Sequence, residues 1–311
     1  MTARRRGRGP EAGAAVTATA VFETHRPRLL DLAYRMLGSV DEAQDVVQEA
    51  WLRWQRSDPS SLDNPSAWLT TVTTRLAIDA LTSARARRET YVGPWLPDPL
   101  VAADEPDPGE TVAGAETLTL GFLRLLETLS PVERAVFLLH DVFGVPFREV
   151  AATVGRTEVA ARQVARRARD RIRSGRPRLD PAPAEARILA DAFFAAVVDG
   201  DLDQLTTLLT DDAVYVSDGG ASRRAARRPV VGSARVARLL VNMARRSLSP
   251  LDEVHTVTVN GQLGVYVRRD DAPLVLTVLG WRGTRVAELA SLLEPAKLER
   301  FDRRWCGKGS V

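Results

Sequence analysis

SPVERAVFLLHDVFGVPFREVAATVGRTEVAARQVARRARDRIR, residues 130 to 173, is the stretch whose periodicity decides how this chain is read. Ser130-Pro131-Val132-Glu133 combines a capping box with proline at the first helical position, which opens a helix through Leu139. Gly144-Val145-Pro146 breaks that helix, FREVAATV makes a short one, Gly155 supplies a turn, and a further helix starts at Thr157. This is the punctuation of a helix-turn-helix. On a helical wheel the last helix places Ala161, Val164, Ala165, Ala168 and Ile172 on one side and Arg162, Arg166, Arg169 and Arg173 on another. One face packs; the other is a column of guanidiniums with no acid interleaved. Residues near the start of such a helix reach base edges, so Thr157, Glu158, Arg162, Gln163 and Arg166, with Arg167 and Arg169 beside them, point to duplex DNA.

Outside this stretch the charge balance changes sign from segment to segment. The net charge of +3 hides eleven basic against five acidic residues over 131–178, one against seven over 91–130, nine against nine over 26–90, and eighteen against seventeen over 179–311. Arginine supplies 41 of the 43 basic residues, so its abundance carries no information and its placement must. No stretch approaches the ~20 apolar residues of a membrane helix. The arginines of MTARRRGRGPEAGAA precede no apolar core, which reads as a disordered tail over 1–16 of an unexported, cytoplasmic protein. A single cysteine, Cys306, and scattered His25, His140 and His255 make neither a disulfide scaffold nor a metal site.

Two breaks divide the chain. Residues 91–117 hold five prolines and six acids and read as an acidic linker, and residues 176–184 as a shorter one. They separate segments 17–90, 118–175 and 185–311. In the first, a helix over 17–37 ends at Gly38, and Ser39-Val40-Asp41-Glu42 reads as a capping box for the next. That second helix sets Val47, Ala50, Trp51 and Trp54 on an apolar side and Asp41, Asp45, Gln48 and Glu49 on an acidic one. A third helix starts at Asp63-Asn64-Pro65, with Trp68, Leu69, Val72 and Leu76 as its buried stripe. Thr70, Thr71, Thr73 and Thr74 crowd two of its turns, although threonine is a mediocre helix former. On a helix ending in Arg85, Arg87 and Arg88, those hydroxyls suit contacts to phosphate. Leu118 to Leu129 forms an apolar-periodic helix ahead of the helix-turn-helix.

Together these residues resemble an extracytoplasmic-function (ECF) sigma factor of bacterial RNA polymerase, over residues 18–175. DEAQDVVQEAWLRW is similar to the polymerase-binding helix of the first sigma domain, NPSAWLTTVTTRLAIDALTSARARRE to its −10-reading helix, and LSPVERAVFLLHDVFGVPFREVAATVGRTEVAARQVARRARDRI to the −35-reading domain. The resemblance implies core RNA polymerase (β′ and β subunits) and promoter DNA as partners. It implies that Asp41, Asp45, Gln48, Glu49 and Leu52 dock on the β′ clamp helices and that residues 57–66 capture a flipped −10 base. Asn64, Trp68, Thr71, Arg75, Arg85, Arg87 and Arg88 then line the −10 site; Arg75 stands where some members have asparagine. YVGPWLPDP, with Trp95 and Asp98, resembles the linker of the SigJ-like group, whose members add a C-terminal domain similar to SnoaL-like polyketide cyclases. Asp218-Gly219-Gly220 resembles the start of that group's DGGGK motif, and Glu294-Pro295-Ala296-Lys297-Leu298 its NPDKL motif. Here Ala221-Ser222 replace Gly-Lys, and Glu294 and Ala296 replace Asn and Asp.

Residues 185–311 fit that α+β domain. AEARILADAFFAAVVDG, DLDQLTTLL and SARVARLLVNMARR are helical, AVYVSD is a strand, and EVHTVTVN, LGVYVRR, PLVLTVLGW and RVAELASLL form a meander with turns at Asn260-Gly261 and Asp270-Asp271. A sheet wrapped on helices encloses a cone, for which Asp191, Asp218 and His255 are the candidate catalytic groups; nothing in their spacing brings two of them together. The expectation is two all-α sigma domains, a sigma-2 helical bundle and a sigma-4 helix-turn-helix, followed by a SnoaL-like α+β cone that regulates without catalysis, cofactor, metal or a separate anti-sigma protein. The competing reading is a helix-turn-helix regulator fused to a ligand-sensing or vestigial enzyme domain.

Overall fold

The computed structural model describes residues 10–58, 62–101, 118–175 and 183–306. Its chain divides into two compact units, one of residues up to Ala84 with Ser130–Ala168, the other of Arg85–Leu129 with residues from Arg169 onward.

The first unit is helical. Helix α1 (Pro10–Leu37) ends where Gly38 takes a left-handed φ of 68° and its amide bonds Tyr34 O. The helix reaches seven residues into the stretch 1–16 expected as a tail, because Ala12, Ala14 and Ala15 are strong helix formers; residues 1–9 lie outside the described residues. Ser39 occupies the N-cap of α2 (Val40–Arg56), but its side chain makes no cap bond, so the expected box is one in position only. Helix α3 (Pro65–Glu89) has Asn64 Oδ1 accepting from the Ala67 amide at 3.0 Å, a cap of the expected kind. Its buried line runs through Leu69, Thr73, Ala77, Leu81 and Ala84, while Trp68, Val72 and Leu76 stay half-buried, which moves the stripe about one residue along the wheel from the expected one. Trp54 is fully buried, donates to Ala18 O at 2.9 Å and meets Trp68 at 5.6 Å. Burying each such large side chain contributes roughly 1.5–3 kcal/mol.

Helix α5 (Pro131–Phe137) closes both bonds of the Ser130–Glu133 capping box and continues as a π turn over Leu138–Val142. Helices α6 (Phe147–Val154) and α7 (Glu158–Gly175) flank Gly155, which has φ 65° and open space where a Cβ would stand. Ala161, Val164, Ala165, Ala168 and Ile172 are all buried, as the wheel requires.

The second unit is α+β. Helix α4 (Leu120–Leu126), capped by Thr119, packs within this compact unit. Helices α8 (Pro183–Asp199), α9 (Leu202–Leu208) and α10 (Ser233–Ser247) accompany a six-stranded sheet of order β2-β1-β6-β5-β4-β3. The strands are β1 (Leu209–Asp218), β2 (Val230–Val231), β3 (Glu253–Val259), β4 (Gln262–Arg269), β5 (Ala272–Arg282) and β6 (Arg285–Leu292). Both expected hairpin turns take positive φ at each central residue, Asn260-Gly261 at 51° and 71° and Asp270-Asp271 at 50° and 59°. Strand β1 pairs parallel to β6, a long-range closure, and a last helix α11 (Pro295–Cys306), not expected from the sequence, follows it. Phe193, Leu205, Tyr215, Leu240, Trp281 and Leu289 fill the space between α8, α10 and the sheet.

Candidate functional site

On α2, Asp41, Asp45, Gln48 and Leu52 are exposed along one face, with Glu49 half-exposed and paired to Arg53 at 3.0 Å. Val47, Ala50 and Trp54 are buried opposite, and Trp51 leans on Phe22 at 4.8 Å.

On α3 the hydroxyls are already spent inside the helix. Thr70 and Thr74 donate to the carbonyls four residues earlier, at 2.8 and 2.7 Å, and Thr73 is fully buried with its Oγ unpartnered. Threonine back-bonding of this kind is the usual fate of a mid-helix hydroxyl. The expected row of phosphate-facing hydroxyls is thus not there: only Thr71 reaches outward, and it meets Thr153 Oγ at 3.0 Å. Arg75 donates from Nε to Thr153 O and from a terminal nitrogen to Ala152 O, both at 3.0 Å, covering the carbonyl end of α6, where a cation complements the helix dipole. Arg85 donates to Glu127 O at 3.0 Å, and Arg88 pairs with the Glu127 carboxylate at 2.7 Å. Residues 59–61 of the expected base-capturing loop lie outside the described residues.

Helix α7 is the opposite case. Thr157 Oγ accepts from the Ala160 amide at 3.2 Å as the N-cap, and Arg162 pairs with Glu158 while lying 4.5 Å from the Phe147 ring. Arg166, Arg167 and Arg173 are exposed and have no partner among the described residues. Sequence reasoning missed Val159, 68% exposed beside Glu158, where an apolar side chain suits a thymine methyl. Its position off the packed stripe was the available clue.

The most highly built constellation lies in the second unit. Asp218, at the end of β1, is fully buried and accepts from Tyr91 Oη at 2.6 Å, the Leu96 amide at 2.9 Å, Lys297 Nζ at 2.8 Å and the Gly220 amide at 3.2 Å. Lys297 Nζ also donates to Leu96 O and lies 4.3 Å from the centroid of the Trp95 ring, over which Arg88 sits at 3.4 Å. Glu294 caps α11 by accepting from the Lys297 amide at 2.9 Å, with Pro295 first in the helix, and Leu298 is buried. Arg300 pairs with the buried Asp98 at 2.8 Å. Burial, then the Asp218 carboxylate, push the Tyr91 phenol well above its ordinary range, so it remains a proton donor. Trp95, Asp98, Asp218, Gly220, Glu294 and Lys297 are thus brought into one neighbourhood of this unit, and Tyr91 and Arg300 join it.

The first residues of the expected acidic linker lie against the α+β unit. Leu96, Pro97, Asp98, Pro99 and Leu100 are buried, the Leu100 amide donates to Asn260 Oδ1 at 2.8 Å, and Val101 bridges to Val259. Prolines forbid a helix, but an extended segment whose amides find fixed acceptors can lie on a domain. Residues 102–117 lie outside the described residues. The three enzyme candidates do not converge: Asp191 is exposed on α8, Asp218 is bound up as above, and the His255 ring meets Trp305 in a tilted contact at 4.7 Å. Among the described residues no group of three His, Cys, Asp or Glu side chains could hold a metal.

Residues 21–87 match the family model for Sigma-70 region 2, and residues 120–172 that for Sigma-70, region 4. Over 289 residues the chain is 40% identical to the ECF RNA polymerase sigma factor SigJ of Mycobacterium tuberculosis (strain ATCC 25618 / H37Rv), covering 89% of this chain and 91% of that protein. The chain belongs to the ECF sigma factors. This sigma factor is also 33% identical over 285 residues to the probable ECF RNA polymerase sigma factor SigI of the same strain, covering 90% of this chain and 94% of that one. The crystal structure of Mycobacterium tuberculosis SigJ superposes with a TM-score of 0.72 at 36% identity, covering 90% of this chain and 98% of that one. As a sigma factor it directs transcription initiation, and the family is not one of enzymes. Its sigma-2 and sigma-4 helices precede an α+β domain of the kind the SnoaL-like resemblance implies. No helix among the described residues is long and apolar enough to cross a membrane.

Proposed function

We propose that this sigma factor binds core RNA polymerase through the exposed acidic face of α2, Asp41, Asp45, Gln48, Glu49 and Leu52, and reads bipartite promoters in the cytoplasm. Helix α7 lies in the major groove of the −35 element, with Thr157, Glu158, Val159, Arg162, Gln163 and Arg166 toward base edges and Arg167 and Arg169 toward phosphates. Asn64, Trp68, Thr71, Arg75 and the basic end of α3, Arg85, Arg87 and Arg88, serve the −10 element, where unstacking a base costs a few kcal/mol that pocket contacts offset. Thr71 and Arg75 are held by the carbonyl end of α6 in the free chain, so their use on DNA requires those bonds to be exchanged.

The α+β domain is a non-catalytic regulator acting in place of a separate anti-sigma protein. Through Trp95, Asp98, Asp218, Gly219, Gly220, Glu294, Pro295, Lys297 and Leu298 it fixes the segment that leaves α3. The observation that carries the reading of α7 is that Arg166, Arg167 and Arg173 are exposed without partners among the described residues, within a region that matches Sigma-70, region 4. Replacing Asp45 and Glu49 by Ala should reduce co-purification with core polymerase while helicity is unchanged; undiminished co-purification would remove the α2 assignment. Lys297→Ala should change the output or promoter choice of reconstituted transcription, and identical transcripts would remove the regulatory one.

A further inference from the structure

Residues 219–251 contain eight arginines and no acidic residue, in a domain whose overall charge is balanced. Four of them, Arg223, Arg224, Arg227 and Arg228, are exposed on the loop between β1 and β2, and none has a partner among the described residues. The backbone beneath them is pinned. The Ala226 amide donates to Ser217 Oγ at 2.8 Å and the Arg223 amide to Gly219 O at 3.1 Å. A Cβ on Gly219 would stand 2.8 Å from Arg223 O, so the turn requires glycine there. Helix α10 continues the pattern: Arg235, Arg238, Arg245 and Arg246 are exposed along one face, opposite buried Val236, Ala237, Leu240, Val241 and Ala244. Arg235 and Arg238 are likewise unpartnered among the described residues. The acids of β1 are already engaged, Asp218 by Tyr91, the Leu96 amide and Lys297, Asp212 by Arg282 at 2.9 Å and Asp211 by Arg285 at 3.8 Å. A guanidinium cluster with a fixed backbone and unpaired heads is complementary to a regular array of phosphates.

Its place in the unit selects which phosphates. A Cβ on Gly93 would lie 3.5 Å from Arg227 Cα and 3.9 Å from Ala226 O, so the arginine loop abuts the chain four residues beyond the last residue of α3. The guanidinium-bearing end of α3 and the loop thus follow one another along the same unit.

We propose that the Arg223–Arg228 loop, with Arg235 and Arg238 of α10, is a third DNA contact: a sequence-independent grip on the sugar–phosphate backbone of duplex DNA flanking the element served by α3. This rests on the promoter-reading assignment above. The α+β domain then adds promoter affinity directly, besides fixing the linker.

The test is binding of polymerase holoenzyme, containing the full-length chain, to promoter fragments over a range of salt concentrations. Changing Arg223, Arg224, Arg227 and Arg228 together to Gln should flatten the slope of log affinity against log salt by about 0.9 for each phosphate no longer neutralised, roughly 2 to 4 in all. Affinity at low salt should fall at least tenfold with base preference unchanged, and the corresponding four-Lys variant should keep the slope. Arg235→Gln with Arg238→Gln, on solvent-facing positions of α10, repeats the test without touching the loop. An unchanged slope in both Gln variants, with promoter preference intact in the parent, overturns the inference and leaves the promoter reading standing; no promoter preference in the parent removes that reading itself. If the Gln variants lose binding to phosphatidylglycerol vesicles while promoter slopes are unchanged, the surface serves a membrane and the proposal is wrong.

Discussion

Two arginine-bearing helix faces in this sigma factor look alike in sequence and differ in the folded chain. On α7, Arg166, Arg167 and Arg173 face solvent without partners among the described residues. On α3, Arg75 covers the carbonyls of Ala152 and Thr153, Arg85 holds the Glu127 carbonyl, and Arg88 is shared between the Glu127 carboxylate and the Trp95 ring. Periodicity tells which face a cation occupies, but not whether the fold has already given it an acceptor. An unpartnered guanidinium is ready for phosphate at once, whereas a consumed one must first release what it holds.

The largest test of this contrast is at the contact that fixes the segment after α3. Lys297→Ala leaves Asp218 buried with three of its four donors, so a loss of about 3 kcal/mol, the low end for breaking a buried ion pair, is expected in chemical denaturation. Protease cleavage within residues 91–101 should appear in parallel. On the open helix, Arg166→Ala should cost roughly 1–3 kcal/mol in promoter affinity and relax preference at one base pair, while stability moves by less than about 0.5 kcal/mol. Arg75→Ala should do the reverse in the free chain, costing about 1 kcal/mol of folding stability as two carbonyls lose a charged donor, read from the denaturant midpoint. Thr73→Val should be within about 1 kcal/mol of the parent and, if anything, more stable, because it removes a buried hydroxyl with no partner. Lower promoter affinity in Thr73→Val would restore the phosphate role that its burial removes.

What could be read from sequence was local. The Ser130–Glu133 box, Gly155 and the packed stripe of α7 depend on residues within a turn or two of each other, and each formed as the spacing dictates. The hairpins at Asn260-Gly261 and Asp270-Asp271 were legible for the same reason, since their positive φ values favour those residues. The parallel pairing of β1 with β6 and the docking of residues 91–101 were not. They join groups far apart in the chain, such as Tyr91 with Asp218 and Trp95 with Lys297, and no period encodes such a meeting. The threonines of α3 misled because a hydroxyl bonding back to its own helix and one facing phosphate occupy the same sequence positions. The basic run at 219–251 is hidden when charge is averaged over 179–311, where nine acids against one base over 179–218 cancel it.

The most direct measurement is run-off transcription by core polymerase on the DNA upstream of this protein's own gene, with the parent chain and with Arg162→Ala/Arg166→Ala. The account predicts a transcript from one discrete start with the parent and at least tenfold less with the double variant. No discrete transcript with the parent, or equal amounts with both chains, would contradict it.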